Sequence, residues 1–214
     1  MISARLSPSL PRTIVMAQLA VKTGEFTFAH YMEWPEHERW QLFDGTARAM
    51  APPNWAHQSV VTELARQLGN ALHGKPCQTR VAPVGVRLPK HDEADDSIRT
   101  VFEPDILVVC DARKIDAKGV RGAPDVIIEV LSPSTAVYDQ IEKRIAYGEA
   151  GVRELWLIDV ANGLVTIYRQ SGTHSNWQFG APEIVRASGE ISLSALDDLT
   201  LDLSFIDALR LDIE

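Results

Sequence analysis

Two short apolar segments carry acidic residues where buried strands usually have only apolar ones. Glu129 interrupts the run Val126–Leu131, and an ionised carboxylate buried there is costly unless it is paired, hydrogen-bonded or bound to a cation. Because side chains alternate along a strand, Asp125 shares the face of Glu129. Asp105 is the second residue of the neighbouring segment, PDILVVC. Carboxylates that converge at strand ends form a hard-oxygen site that suits Mg²⁺ or Mn²⁺ better than zinc.

The next predicted helix, residues 135–149, carries a polar stripe that includes a lysine. Asp139, Lys143 and Tyr147 recur at intervals of four residues. A separate apolar stripe comprises Val137, Ile141 and Ile145. A helix that directly follows a strand packs back across the sheet, which places Lys143 within reach of the carboxylates. There a lysine can orient a metal-bound water and offset the charge that develops on a phosphate.

The residues alone leave a simpler interpretation open at both places. Asp105 and Asp125 would then only cap turns after proline, and Glu129 would pair with a surface arginine. Asp139 and Lys143 would form an ordinary pair on a solvated helix face, which stabilises a helix by about 0.3–0.5 kcal/mol. The choice between a metal site and separate ion pairs depends on the elements that position these side chains.

The pattern of apolar residues predicts an α/β fold with a mixed central β-sheet flanked by helices. A short helix from Thr27 to Trp34 is followed by a hairpin that turns at Asp44-Gly45. Apolar residues at intervals of three and four predict a helix from Asn54 to Leu72. Further strands are predicted at Val81–Leu88, Pro104–Cys110, Pro124–Leu131 and Arg153–Asp159, with a basic loop after Cys110. Short strands and a last helix are expected from Trp177 onward.

The length of 214 residues and the 45% hydrophobic content favour one domain. This domain is expected to span residues 26–214, after an N-terminal extension over residues 1–25 in which Met16 is an alternative start. Cys77 and Cys110 are far apart and form no CxxC motif, which argues against a disulfide and against a structural zinc site. A reducing, cytoplasmic location is therefore expected. No apolar run reaches the ~18 residues of a membrane helix, so no membrane partner is expected.

The formal net charge of −8 excludes a uniformly basic protein that coats nucleic acid. The acidity is concentrated beyond residue 150, where the chain has four arginines and ten acidic residues. The rest of the chain is nearly balanced in charge. The candidate contacts to a DNA backbone come from the basic loop and are Arg113, Lys114, Lys118 and Arg121. Any binding of DNA is therefore expected to be weak, local and confined to the first 150 residues.

The succession of segments is similar to that of a known family. It runs WQLFDG, APPNWAHQSVV, EPDILVVCD, GAPDVIIEVLSPST, DQIEKRIAYGEAGVRELWLID and VTIYR, and it resembles the Uma family of restriction endonucleases, within the PD-(D/E)XK nuclease superfamily. The match covers residues 26 to 169, most of the chain. The resemblance implies a restriction-endonuclease-like core with extra β-hairpins and Mg²⁺-dependent hydrolysis of phosphodiester bonds.

Matched by position, the resemblance makes Asp105 the PD aspartate and Glu129 the second acid, so these two would bind Mg²⁺ or Mn²⁺. The superfamily's lysine position holds Leu131, whereas Lys143 matches a lysine that the family places on the next helix. Gln41 stands where the family usually has glutamate, and its amide can bind a metal without adding charge. His57 would contact a phosphate, position the residue-41 side chain or cap a helix. The candidate supporting residues are Gln41, His57, Asp125, Asp139 and Tyr147.

The favoured function is a DNA endonuclease in which Asp105 and Glu129 hold the metal ion and Lys143 polarises the scissile phosphate. A second interpretation is a catalytically impaired relative that binds nucleic acid or acts as an assembly module, because Gln41 carries no charge and the chain is acidic. A third is an oligomeric structural protein that uses the tail from Leu193 to Ile213 as a dimer surface. A homodimer is the expected assembly.

Overall fold

The structure, a computed structural model, describes residues 20–35, 37–132, 138–172 and 176–211, without the side chains of Asp139, Arg210 and Leu211. Most of the expected N-terminal extension, including Met16, therefore lies outside the described residues, as do residues 135–137 of the predicted lysine-bearing helix. The last residues of that extension contribute a short strand, β1 (Val21–Lys22), which pairs with residues 47 and 48.

The described residues form short strands and four α-helices. The strands up to residue 109 are β2 (Trp40–Phe43), β3 (Thr46–Ala49), β4 (Gln78–Val81), β5 (Val86–Arg87), β6 (Val101–Phe102) and β7 (Ile106–Val109). The later strands are β8 (Ile115–Asp116), β9 (Gly119–Arg121), β10 (Val126–Val130), β11 (Glu154–Asp159), β12 (Leu164–Ser171), β13 (Gln178–Phe179), β14 (Glu183–Arg186), β15 (Glu190–Leu193) and β16 (Leu199–Asp202). The α-helices are α1 (Phe28–Met32), α2 (Trp55–Leu72), α3 (Arg144–Ala150) and α4 (Phe205–Leu211).

Two sheets organise these elements. The outer sheet has the strand order β1-β3-β2-β6-β5-β9-β8, and the central sheet has the order β13-β12-β11-β10-β7-β4, with β14 also on β12. Strands β15 and β16 form a separate hairpin. In the central sheet β10 is parallel to β11 and antiparallel to β7. The predicted fold class, a mixed central sheet flanked by helices and extended by hairpins, is confirmed.

Apolar side chains cover both faces of the central sheet. Helix α2 buries Val60, Leu64 and Leu68 against one face, as its spacing of three and four residues predicts. The opposite face, which includes Ile127, packs against Tyr147 of α3 and against the outer sheet. Burial of each large apolar side chain stabilises the fold by about 1.5–3 kcal/mol. Among the described helices, none is long and apolar enough to cross a membrane.

Local sequence signals set the ends of several elements as predicted. Thr27 forms a capping box at the start of α1, and the side chain of Asn54 accepts the N–H of residue 57 at the start of α2. Asp44 and Gly45 have positive φ angles of 46° and 82° and form the turn between β2 and β3. Gly151, with φ 95°, ends α3.

Two predictions about the middle of the chain are wrong. The predicted strand Val81–Leu88 is divided, because the chain leaves the central sheet at the end of β4 and enters the outer sheet as β5. Pro83 lies between them, after a cis peptide bond, and its lack of an N–H prevents it from continuing the ladder. The predicted basic loop also contains structure: Ala112–Lys114 forms a 3₁₀ turn, and β8 and β9 form a hairpin.

The expectation that the cysteines are unpaired is also wrong. Cys77 and Cys110 form a disulfide with a sequence separation of 33 residues. Strands β4 and β7 are antiparallel with Gln78 opposite Val109, so the two cysteines meet one position beyond this pair. The sequence does not reveal which strands become neighbours, and the spacing of the cysteines therefore contained no sign of the bond.

Candidate active site

The antiparallel pairing of β7 and β10 brings Asp105 next to Glu129. Ile106 pairs with Ile128, and one step further along this register Asp105 lies opposite Glu129. Side chains at opposite positions of an antiparallel pair leave the same face of the sheet. Oδ2 of Asp105 accepts the backbone N–H of Val130 at 2.8 Å, which holds the carboxylate against β10. The structure thus brings together the two acids that the sequence singled out.

Lys143 and Tyr147 reach Glu129 from the helix that follows β10. Lys143 ends a π-helical turn, Asp139–Lys143, and Tyr147 lies one turn later in α3. The Lys143 Nζ donates to Oε1 of Glu129 at 3.0 Å, and the Tyr147 hydroxyl donates to the same oxygen at 2.8 Å. The side chains of Glu129 and Lys143 are only 3% and 5% exposed. A buried ion pair is tolerated when further hydrogen bonds complete it, and Tyr147 supplies one.

The described side chains of the polar stripe face inward, and those of the apolar stripe face outward. Tyr147 is fully buried with Lys143, whereas Ile141 and Ile145 are 52% and 40% exposed. An amphipathic helix normally buries its apolar stripe, so the reversal indicates that the contacts with Glu129 determine its orientation. The predicted supporting residue Asp139 has a side chain outside the described residues.

His57 contacts Asp105 from the first turn of α2. Its Nε2 lies 3.1 Å from Oδ2 of Asp105, and its buried Nδ1 has no hydrogen-bond partner within the described chain. With the proton on Nε2, the ring donates to the carboxylate and Nδ1 is an open acceptor. The helix start itself is capped by Asn54. Of the sequence-predicted supporting residues, His57 and Tyr147 thus both touch the acid pair directly.

Gln41 lies on the face of the outer sheet that packs toward the site. On that face Phe43 stacks on Phe102 with 6.3 Å between ring centroids, and the Phe102 ring lies 5.3 Å from that of Tyr147. Gln41 alternates with Leu42 and so shares the side of Phe43. It is 6% exposed, and its Oε1 has no hydrogen-bond partner in the part of the chain described. A buried carbonyl oxygen in this state is available to a cation or a donor.

Arg48 and Glu142 also belong to this cluster, although the sequence analysis did not single them out. Arg48 lies directly opposite Gln41 in the β2–β3 hairpin, so the two side chains share a face. Its Nε and Nη2 donate to Glu142 Oε2 and Oε1 at 3.3 and 2.8 Å. The guanidinium carbon lies 5.0 Å from the ring centroid of Tyr138. The available signal was the hairpin register, which places residue 48 beside a predicted site residue.

The oxygen atoms of this cluster fit a divalent cation. Oδ1 of Asp105 has no hydrogen bond from the described residues, Glu129 contributes a second carboxylate, and Gln41 offers the open carbonyl. Such oxygen donors suit Mg²⁺ and Mn²⁺. Over the ranges that the structure describes, no group of three or more His, Cys, Asp or Glu residues could hold a metal ion. A cation here would therefore be held by two carboxylates and an amide.

Asp125 lies at the opposite end of the β7–β10 pair. Its Oδ2 accepts the N–H of Cys110 at 2.7 Å, and its Oδ1 lies 3.4 Å from Nη1 of Arg153. Because the two strands are antiparallel, their Pro-Asp motifs fall at opposite ends of the pair. The structure does not bring Asp125 to the candidate site.

The four basic residues considered as DNA contacts lie on and before the β8–β9 hairpin, at the far edge of the outer sheet. Strands β5 and β6 separate this hairpin from β2. The contacts are Arg113 with Asp111, Arg121 with Asp95, Lys114 with the carbonyl of Ala123, and Lys118 with the ring of Phe28. The hydrogen bond from Arg121 lowers the pKa of the Asp95 carboxyl below its ordinary value. The structure therefore does not bring this basic segment to the acid pair.

The fold and the site together define a restriction-endonuclease-like α/β protein. Neighbouring strands carry the two acids, and the helix after the second strand supplies a lysine to Glu129. The fold matches the crystal structure of an Anabaena variabilis protein described as a "putative nuclease", with a TM-score of 0.67 and 17% identity. The match covers 86% of this chain and 99% of that chain. At this identity the likeness establishes the fold.

The family assignment comes from the sequence. The model of the Uma2 family, described as "Putative restriction endonuclease", matches residues 28–204, and the chain therefore belongs to this family. This confirms the resemblance stated above. An uncharacterized protein of Synechocystis sp. is 28% identical over 112 residues, which is 51% of this chain and 55% of that protein. The chain thus matches about half the length of that relative.

Proposed function

We propose that the protein is a metal-dependent endonuclease that hydrolyses phosphodiester bonds in DNA. The observation that carries the proposal is the convergence of Asp105, Glu129 and Lys143, which come from two antiparallel strands and the following helix. The description of the Uma2 family supports the same reaction class. A carboxylate pair beside a buried lysine is suited to a reaction in which negative charge increases on a phosphate.

Asp105, Glu129 and the carbonyl of Gln41 are the residues that would hold Mg²⁺ or Mn²⁺. When bound, such an ion lowers the pKa of a coordinated water and offsets phosphate charge. The chain's own contribution is to orient the ligands. Because His57 and the N–H of Val130 both bond Oδ2 of Asp105, Oδ1 is the oxygen left available.

Lys143 is the residue proposed to stabilise the phosphate charge during hydrolysis. Its ammonium is buried, and charges interact more strongly in a low-dielectric site than in water. Glu129 holds the ammonium in place, so little reorganisation is needed when a substrate arrives. Loss of one preorganised group of this kind typically lowers a rate by about 10²–10³-fold.

The proposal is tested by chelation and metal add-back with supercoiled plasmid DNA. We expect the full chain to nick the plasmid in Mg²⁺ or Mn²⁺, to stop in EDTA and to recover when excess Mn²⁺ is restored. Single-stranded DNA and RNA of the same sequence, assayed in parallel, define the substrate class. Nicking that continues in EDTA, or no cleavage of any of these substrates in either metal, would contradict the proposal.

A non-catalytic nucleic-acid-binding role is a second candidate, and Gln41 is the observation that favours it. A neutral amide at this position leaves the site with two carboxylates, which lowers its attraction for a divalent cation. If this role is correct, DNA binding will persist in EDTA, and calorimetry will detect no Mg²⁺ or Mn²⁺ binding. Divalent-ion binding by the wild-type chain that is lost in Asp105→Asn would exclude it.

A further inference from the structure

We propose that Arg48 is a phosphate-binding residue of the candidate site, and that Glu142 occupies its guanidinium until a nucleic-acid phosphate takes the place of the carboxylate. The inference rests on the proposed nuclease function, because it assigns a contact to the strand that is cleaved. It is carried by the position, pairing and exposure of these two side chains.

Arg48 connects the outer sheet to the helical segment that carries Lys143. Its strand neighbour across the hairpin is Gln41, whose buried carbonyl oxygen has no hydrogen-bond partner among the described residues. The guanidinium lies against the ring of Tyr138 at 5.0 Å, and the Nζ of Lys143 lies 5.9 Å from the centroid of the same ring. Both cations therefore lie near the same aromatic ring, which places Arg48 in the same cluster as the ammonium proposed to act on the phosphate.

The pairing of Arg48 is of a kind that a phosphate can replace. Two guanidinium nitrogens donate to the two carboxylate oxygens of Glu142. Phosphate oxygens accept the same parallel pair of hydrogen bonds, and arginine is suited to both partners by its planar fork. Glu142 thus mimics the proposed ligand.

Exposure distinguishes this pair from the buried one next to it. The side chains of Arg48 and Glu142 are 33% and 29% exposed, whereas Lys143 and Glu129 are almost completely enclosed. A partly exposed ion pair contributes little stability, so exchanging its carboxylate for another anion is easy. The buried pair keeps its geometry, and the exposed pair can open toward a substrate.

The inference is tested by binding of the full chain to a fluorescein-labelled DNA duplex in EDTA, where the strand is not cut. We expect Arg48→Gln to lower the affinity about tenfold and to reduce the slope of log affinity against log salt by about one, as for loss of one phosphate contact. Arg48→Lys should keep the salt slope but recover only part of the affinity, because a lysine cannot make the paired hydrogen bonds.

Glu142→Gln separates phosphate binding from a purely structural role. If Glu142 competes with phosphate, this variant binds the duplex about three- to tenfold more tightly, opposite in sign to Arg48→Gln. If the pair only attaches the hairpin to the helix, both variants weaken binding. Helix α2 offers matched controls, because Arg66 makes the same paired contact with Glu63 away from the site. Arg66→Gln and Glu63→Gln measure the effect of the charge change alone.

The outcomes distinguish the inference from the function on which it rests. Suppose that the wild-type chain binds and nicks DNA, but that Arg48→Gln has the same affinity and salt slope as Arg66→Gln. This result would overturn the role of Arg48 and leave the nuclease function intact. If Glu142→Gln binds the duplex no more tightly than Glu63→Gln, the role of Arg48 is likewise overturned and the nuclease function is left intact. If the wild-type chain neither binds nor cuts DNA, the proposed function fails and the inference fails with it.

Discussion

The two ends of the β7–β10 strand pair carry the same Pro-Asp motif, but the aspartates have different neighbours. Each strand follows a Pro-Asp dipeptide, and in each case the aspartate accepts a backbone N–H of the other strand, Val130 for Asp105 and Cys110 for Asp125. At the first end the aspartate meets Glu129, with His57 on its other side. At the second end it meets the exposed Arg153 and the disulfide.

The difference between the ends comes from their neighbours. At the Asp105 end, Glu129 projects to the face on which α3 packs, and Lys143 and Tyr147 enclose it. At the Asp125 end, the adjacent residue across the ladder is an apolar strand residue, Val109, and Cys110 is tied to β4. At one end a buried carboxylate is therefore paired with a buried ammonium, whereas at the other end the aspartate is paired with an exposed arginine.

The largest expected difference is in stability. Glu129→Gln removes the carboxylate from a buried ammonium, and breaking such a pair costs about 3–5 kcal/mol. Asp125→Asn weakens an ion pair whose arginine is 52% exposed, and an exposed pair contributes about 0–1 kcal/mol. Urea unfolding of both variants gives the two free energies of unfolding. The double variant Glu129→Gln, Lys143→Met should recover part of the loss, and equal losses in the two single variants would contradict this comparison.

The next expected effect concerns the disulfide at the Asp125 end. Replacing both cysteines by serine should lower the free energy of unfolding by about 2–4 kcal/mol, because the bond no longer restricts the unfolded chain. The nicking rate of the folded protein should change by less than about twofold, since the bond lies away from the acid pair. The wild-type chain in a reductant serves as the control. A folded variant that has lost its nicking activity would show that the two ends are coupled.

A smaller effect is expected when one charge is added at either end. Gln41→Glu supplies a third carboxylate to the hard-oxygen cluster and should raise Mn²⁺ affinity about tenfold, or about 1.4 kcal/mol. Gln78→Glu adds the same charge beside the Asp125 end and should leave that affinity unchanged. Isothermal titration calorimetry measures both. Similar gains in the two variants would mean that the added ligand acts only through net charge.

Much of the fold follows from short-range patterns in the sequence. The spacing of Val60, Leu64 and Leu68 predicts α2 and its buried face, and Asp44-Gly45 predicts the hairpin of β2 and β3. These features depend on residues close together in the chain, for which propensity and periodicity are informative. The apolar runs around Ile106 and Val126 likewise predict β7 and β10.

The sequence predicted the parts of the site in which one side chain implied a partner. Glu129 in an apolar run requires compensation, and the stripe of Lys143 and Tyr147 provides it. Features that depend on pairing between distant segments could not be predicted from the sequence. The disulfide, the Arg48–Glu142 contact and the separation of the two Pro-Asp motifs follow from strand neighbours and direction.

The sequence also did not predict that two charged side chains, those of Arg87 and Glu154, are buried. Arg87 lies in the predicted strand Val81–Leu88 and is fully buried, where it pairs with Asp95 and Asp116. Its hydrogen bond lowers the pKa of the Asp116 carboxyl. Glu154 is equally buried and accepts the backbone N–H of Ala195. Both carry charge into apolar strands, but their partners are set by tertiary packing.

The most direct test of the account compares Asp105→Asn with Asp125→Asn in plasmid nicking with Mn²⁺. The substitutions are identical, and each leaves an amide oxygen that can still accept the strand N–H. We predict that Asp105→Asn lowers the initial nicking rate at least about 100-fold, whereas Asp125→Asn stays within about twofold of wild type. Equal rates in the two variants, with both proteins folded, would contradict the assignment of the Asp105 end as the catalytic end.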